Sequence, residues 1–466
     1  MDAATAPPPP LADDNAIFLN STVNSVYELI VAIPGSHLIL TYVKNAYQDD
    51  PFRIILELFL VFFALKYMLS KKYKPQDNAV KLTEKEIDDL VEEWKPEPLV
   101  PPLSSLDKLN LEKAPLIIGG QSAKPKVAGH AKPLMNLAST NYLELQSSER
   151  IRQKAIDTLK VYGVGSCGPP GFYGTIDVHM DLERDLAKFL GTEQAIIYAQ
   201  GFSTVSSVIP AFSKRGDLLV VDDGVSFSVQ KGAQISRSNV RYFKHNDMQD
   251  LERVLDDIRV DDLVHKRKLT RRFIVTEGLF ANHGDIAPLP KLIELKLVDH
   301  QRLSGLAYCF SASIPAMLAV SASEGLKYIQ ENPQMLRDLT DRARAFRQTL
   351  THKSLENLIE MSSPDLHSPA PFFHIRINPT FLKSRSRDGH EFSREDEERL
   401  LQDVVDECAA QGVLLTRAKY VYEQERNCPR PSIKVYVTIG LSKKENDKAA
   451  GVVKSGIVKV FGKWKK

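Results

Sequence analysis

A chain of 466 residues is long enough for two or three domains, and its 43% hydrophobic and 26% charged content is that of a globular protein. Its 61 basic residues nearly balance 59 acidic ones, and a net charge of +2 argues against a nucleic-acid partner, which needs a concentrated basic face. The four cysteines (Cys167, Cys309, Cys408, Cys428) are far apart and form no CxxC pair, so a disulfide framework or a metal site is not expected and a reducing environment fits.

Residues 1–16 are acidic and proline-rich and read as a disordered tail rather than a secretory signal. Residues 17–48 include an apolar stretch broken at Pro34-Gly35, which fits a segment lying in a membrane interface. The run "FRIILELFLVFFALKYML" (52–69) predicts a transmembrane helix within residues 49–74, since 18 residues rise about 27 Å. Glu57 opposes insertion, but Arg53 stands four residues earlier to pair with it and Lys66 can snorkel. A buried soluble helix is the competing reading. Asp49 and Asp50 before the run, against Lys71, Lys72 and Lys74 after it, place the C-terminal bulk in the cytosol. Residues 75–104 form a linker with one short acidic helix.

From there the pattern alternates. A helix is expected from Ser148 to Gly163, with Ile151, Ala155, Ile156 and Leu159 on one face. A second carries Leu182, Leu186 and Phe189 and ends at Gly191. Five short apolar runs read as parallel strands: "AIIY" (195–198), "LLVV" (218–221), "VRYF" (240–243), "RFIVT" (272–276) and "AYCF" (307–310). Between them lie helices such as "MQDLERVLDDI", with Leu251, Val254 and Leu255 inward. Residues 105–317 thus read as an α/β large domain with a mostly parallel sheet, and residues 318–466 as a smaller α+β domain ending in the strand "SIKVYVTI".

The stretches "YGVGSCGPPGFYGTIDVHMDLE", "SKRGDLLVVDD", "FKHNDMQDLE", "TEGLFANHGDIAPLPKL" and "DHQRLSGLAYCFSASIPA" resemble the α-oxoamine synthase family of fold-type I pyridoxal-phosphate enzymes. The anchor followed by "EEWKPEPLVPP" resembles the non-catalytic, membrane-bound subunits of heteromeric members, with fungal wording. The resemblance implies a complex in the endoplasmic reticulum membrane that condenses L-serine with palmitoyl-CoA to begin sphingolipid synthesis. It implies a catalytic partner subunit holding the pyridoxal phosphate, small regulatory membrane subunits, and a single-pass anchor with the body facing the cytosol.

Within that resemblance the chain lacks the family's cofactor lysine signature, T-x-S-K-x-x-G. Ser213-Lys214 is superficially similar but falls where the family does not place that lysine. Ser226 stands where the family's ring-stacking histidine is expected. Gly201 and Phe202 mark a turn that is either a relic phosphate cradle or a plain tight turn. His179 and His245 are expected to be hydrogen-bonded structural histidines. No covalently bound cofactor and no catalytic residue is expected, and the loop residues Cys167, Gly168, Phe172, Tyr173 and Gly174 are expected to wall the partner's active site. For Cys167, a small residue in a tight turn is an equal alternative. Pro170 and Glu144 depart from residues common in relatives, arginine and glycine respectively.

A further departure follows Lys296. The family runs on for several tens of residues before "VDHQRLSG", through central strands of a seven-stranded sheet; here Val298-Asp299 follow almost at once. Two origins stay open, a non-productive gene or splice product and a regulated short isoform. Three other roles also remain: an independent enzyme, a membrane scaffold, and a chain that does not fold stably.

Overall fold

The computed structural model describes residues 31–49, 51–70, 82–96, 98–100, 102–266, 270–288, 306–363, 365–385 and 392–464. Outside these lie the expected tail, the first part of the interfacial segment, Lys71, Lys72 and Lys74, and the whole junction after Lys296. The chain divides into two units, residues 1–101 and 102–466.

In the first unit, α1 (Ser36–Asp49) begins directly after Pro34-Gly35, where Gly35 takes a φ of 89°. Helix α2 (Pro51–Leu69) covers the apolar run, and Arg53 Nε meets Glu57 Oε1 at 2.9 Å one turn on, as the spacing anticipates. Its apolar side chains are exposed around the helix, Phe52, Leu56, Phe59, Phe62 and Phe63 among them. No helix of the described residues is long and apolar enough to cross a membrane. Helix α3 (Glu84–Glu93) starts at a capping box in which Thr83 and Glu86 satisfy each other's backbone.

The second unit opens with α4 (Ser105–Glu112) and the short strands β1 (Ile117–Ile118), β2 (Lys126–Val127) and β3 (Met135–Asn136). Next come α5 (Glu149–Tyr162), closed by Gly163, and α6 (Asp177–Leu190), closed by Gly191 in the left-handed region. Then follow α7 (Gly201–Phe212), β4 (Leu218–Asp222), α8 (Phe227–Ser236), β5 (Asn239–Phe243), α9 (Met248–His265) and β6 (Arg272–Val275). After the junction lie α10 (Leu306–Phe310), α11 (Ala316–Glu331), α12 (Gln334–Leu350), β7 (Ile359–Met361), β8 (Phe372–Ile377) and α13 (Pro379–Arg385). The chain ends with α14 (Arg394–Ala410), β9 (Val413–Leu414), β10 (Thr416–Arg417), β11 (Ile433–Tyr436) and α15 (Lys443–Lys463).

The C-terminal half is built on the antiparallel sheet β10-β11-β8-β7. Phe373, Ile375, Val435 and Val437 are fully buried against Phe346, Val404, Ile457 and Phe461 of α12, α14 and α15. Strand β3 pairs in parallel with β9, and Ala123 and Leu137 enter this same core. Inside α12 the fully buried Arg347 donates to the carbonyls of Ser368 and Ala370, at 3.1 and 2.6 Å, and lies over the Phe373 ring. Burial draws its pKa down to about 10.

The parallel sheet has order β5-β4-β6. Leu219 and Val221 pack with Val229, Ala233 and Phe280 on one face, while Val220 packs with Leu251, Val254 and Ile258 on the other. Alternation of fully buried residues is what a sheet covered on both faces requires.

Several expectations need correction. "AIIY" is irregular and "AYCF" is the helical turn α10, so three of the five expected strands form among the described residues. The two segments still lie together, with the Tyr198 and Tyr308 rings 5.8 Å apart. A strand is stable only where neighbours satisfy its backbone; separated from the sheet, "AYCF" meets that need by coiling. Leu255 is 39% exposed rather than inward, and on α5 Ile156 and Leu159 are about 40% exposed.

Candidate functional site

Parallel sheets bind ligands beyond the carboxyl ends of their strands. Here β4 ends at Asp222, β5 leads into His245-Asn246, and β6 leads into Glu277. His245 Nδ1 lies 2.9 Å from Asp222 Oδ1 and Nε2 lies 2.9 Å from Asp285 Oδ2, so one imidazole ties together segments from all three strand ends. Burial disfavours the charge on His245, but the two carboxylates outweigh it and raise its pKa to about 9. His283 stacks on this ring at 4.0 Å and is pushed the other way, to about 4, by burial, by the charge on His245 and by Arg376. The backbone is shaped to the clamp: a Cβ on Gly224 would stand 2.4 Å from His245 Nδ1.

Ser226 sits at the N-cap of α8, where its hydroxyl and N–H donate to Glu277 Oε1; Ala281 N–H reaches Glu277 Oε2 at 3.4 Å. Burial raises the Glu277 pKa against these bonds. Gly201 opens α7, and a Cβ there would meet open space; Phe202 packs on Phe227 at 5.8 Å. Lys214 precedes β4 and so stands at the opposite end of the sheet, where its N–H bonds Asp217 at 2.8 Å.

These residues do not make a pyridoxal-phosphate site. His245 engages Asp222 and Asp285, Ser226 and Ala281 engage Glu277, and a serine hydroxymethyl offers no face to stack on an aromatic ring. Among the described lysines near this end, Lys231 bonds Gln234 at 3.1 Å and lies over Phe227.

The glycine-rich loop is built differently. Gly174 N–H returns to Pro169 O at 3.0 Å, and the Ser166 and Ser313 hydroxyls both donate to Gly174 O, at 2.8 and 2.7 Å. Ser313 N–H bonds Gly168 O at 2.9 Å. A Cβ on Gly174 would fall 2.0 Å from Gly168 O, so only glycine closes this turn. Pinned from behind, the loop exposes Cys167 at a φ of 52°, with Phe172 68% and Tyr173 88% exposed. His179 anchors the base: Nδ1 accepts from Ile176 N–H at 3.2 Å and Nε2 reaches Ile314 O at 2.6 Å.

Of the residues singled out in the sequence, the structure groups Gly201, Phe202 and Ser226 near the strand ends, and Cys167, Gly168, Phe172, Tyr173 and Gly174 in the loop. Sequence reading missed the partners Asp222, Glu277, His283 and Asp285. Their signal lay in "TEGLFANHGD", whose glutamate, histidine and aspartate follow a strand in close succession.

A domain model for aminotransferase class I and II matches residues 132–304. Serine palmitoyltransferase from S. paucimobilis with bound PLP-myriocin aldimine shares the fold at TM-score 0.62, covering 76% of this chain and 96% of that one at 15% identity. The Sphingomonas wittichii serine palmitoyltransferase gives 0.60 over 81% and 98%, also at 15% identity. The chain is therefore an α/β protein of the fold-type I, aminotransferase-like class.

Serine palmitoyltransferase 1 of Dictyostelium discoideum is 37% identical, covering 83% of this chain and 90% of the relative. Serine palmitoyltransferase 1 of Saccharomyces cerevisiae is 32% identical over 92% and 93%. Long chain base biosynthesis protein 1 of Arabidopsis thaliana is 34% identical over 82% and 87%. The chain belongs to this serine palmitoyltransferase 1 family. The Dictyostelium match spans 449 positions but takes in only 83% of these 466 residues, so about 60 positions of that relative face no residue here.

Proposed function

We propose that this chain is the non-catalytic subunit of a heteromeric serine palmitoyltransferase, joining a catalytic subunit that holds the pyridoxal phosphate and condenses L-serine with palmitoyl-CoA. The observation that carries this reading is the pinned loop, which turns Cys167, Phe172 and Tyr173 outward while the chain's own strand-end crevice is filled by internal hydrogen bonds. Rigid aromatic side chains on a fixed backbone suit contact with a partner surface. The chain binds no cofactor of its own in this reading. The half-exposed apolar face of α5 supports a partner on the same side of the sequence, at residues 156–173. Co-expression with the catalytic subunit, followed by co-purification and assay, tests it; a chain that copurifies without supporting activity contradicts it.

Although no described helix is long and apolar enough to cross a membrane, we propose that α2 attaches the complex to the endoplasmic reticulum membrane through its exposed apolar side chains, with the Arg53–Glu57 pair offsetting the charge and small regulatory membrane subunits meeting the N-terminal helices. Extraction at alkaline pH checks the anchor: retention in the pellet is expected for the full chain and loss for one lacking residues 1–75.

The three-stranded sheet favours one second reading, a truncated form that acts at most as a membrane scaffold. Peptide mass spectrometry of native protein separates its origins, because a peptide spanning Lys296 to Arg302 as written excludes an error of the gene model.

A further inference from the structure

The bonds that hold the tip of the glycine-rich loop, residues 166–174, are of two kinds. Gly174 N–H returns to Pro169 O, and the Ser166 hydroxyl donates to Gly174 O at 2.8 Å. Both close the loop on itself, fixing its shape but not its place, because donor and acceptor travel together. Among the described residues, the hydrogen bonds that reach the tip from outside come from Ser313. Its hydroxyl donates to Gly174 O at 2.7 Å across 139 positions of chain, and its N–H donates to Gly168 O at 2.9 Å. The Ser166 and Ser313 oxygens also lie 2.9 Å apart, so two hydroxyl hydrogens serve three contacts, and Gly174 O has the two lone pairs to take both.

Ser313 is itself fixed to the body of the chain. It stands on the lead into α11, and the residues after it pack beneath the loop. Ile314 and Ala316 share an apolar cluster with Tyr162 and Ile176, at the two feet of the loop, and with Val178 and Leu182 of α6. Ile314 O lies 2.6 Å from His179 Nε2. The two glycines that take the Ser313 bonds are buried, while Cys167, Phe172 and Tyr173 between them are exposed.

We propose that Ser313 is the positioning residue of this surface, fixing the loop to the body of the chain in the shape that a catalytic subunit receives. This role rests on the subunit reading. A loop that must be ordered during association weakens it, and one held beforehand in its bound shape does not. Loss of the Ser313 hydroxyl therefore falls on association rather than on turnover, because a bound partner holds the loop again. Ser166 is the internal comparison: its removal deletes a bond to the same oxygen without freeing the loop from the body.

The test compares Ser313→Ala with Ser166→Ala in the full chain. Hydrogen exchange across residues 167–174 of the isolated chain is expected to quicken about fivefold in Ser313→Ala and less than about twofold in Ser166→Ala, with the rest of the chain unchanged. When the catalytic subunit is titrated, Ser313→Ala is expected to need about five times more chain for half-maximal condensation. At saturation it is expected to reach the kcat and the KM for L-serine of the natural chain. Equal exchange in the two variants, an unchanged half-saturation point, or a kcat lowered at saturation each overturns the proposal. A natural chain that raises no activity with the catalytic subunit overturns the subunit reading, and the proposal with it. The exchange measurement needs no partner, so it tells that failure from a loop that Ser313 does not hold.

Discussion

At the scale of single residues, the clamp on His245 makes a signed prediction. Its pKa is raised from near 6.5 to about 9, so its contribution to stability is complete below the unfolded value and disappears as pH rises through 9. The size is roughly 2–3 kcal/mol, allowing for its partial exposure. The Asp285 carboxylate behaves in the opposite sense. Burial works against its charge, but the bond and charge of His245, the charge of His283 and the bond from Asn246 together outweigh burial and lower its pKa, giving stability that is present above the unfolded value and lost in acid. Denaturation midpoints measured from pH 6 to 10 are therefore expected to fall more steeply for the natural chain than for His245→Gln. Gly224→Ala forces a Cβ against the same imidazole and is expected to cost about 1–3 kcal/mol in the same assay. Glu144 gives a second case. It holds a left-handed conformation, φ 52°, at a position where the family resemblance puts glycine, and its carboxylate accepts from Ala123 N–H, Asn141 and Ser147 at 2.8–2.9 Å. Glu144→Ala keeps the backbone strain and loses all three bonds, with an expected loss of about 2–3 kcal/mol on denaturation. The bond from Ala123, 21 residues away, was not legible in the sequence because only the fold brings it to Glu144, whereas Asn141 and Ser147 lie three residues to either side.

At the scale of elements, legibility tracks how local the determinant is. Helices α5 and α6 end at Gly163 and Gly191 as the sequence indicates, because a left-handed or otherwise glycine-specific cap is a property of one residue. Strands β4, β5 and β6 were also readable, as each lies beside another strand of the set. "AIIY" and "AYCF" were not, since their strand form depends on neighbours that local apolar content does not reveal. The same limit applied to α5, whose apolar face predicts burial without saying whether this chain or another supplies the cover. The glycine-rich loop was recognisable by composition, yet its closure by Ser166 and Ser313 needed the fold to bring position 313 to it. Gly174→Ala cannot be accommodated without moving the Gly168 backbone. It is expected to leave the far-ultraviolet circular dichroism near normal while abolishing activity of the heteromer.

At the scale of the whole molecule, the proposed function turns on whether a chain with this family's fold keeps the family's catalytic capacity. The fold is that of pyridoxal-phosphate enzymes and the relatives are named for serine palmitoyltransferase, while at the strand ends His245 and Ser226 are bonded to carboxylates of this chain. In the proposed subunit role the chain acts through what it presents to another chain, and the outward-turned loop at Cys167, Phe172 and Tyr173 is the feature that role assigns to presentation. The most direct measurement is to titrate purified catalytic subunit with this chain while recording condensation of L-serine with palmitoyl-CoA and the visible absorbance of bound pyridoxal phosphate. The account predicts that activity appears on addition of this chain, that the isolated chain shows no cofactor absorbance, and that Cys167→Trp changes the rate or the choice of amino acid without preventing association. An isolated chain that takes up the cofactor and turns over substrate by itself would contradict it.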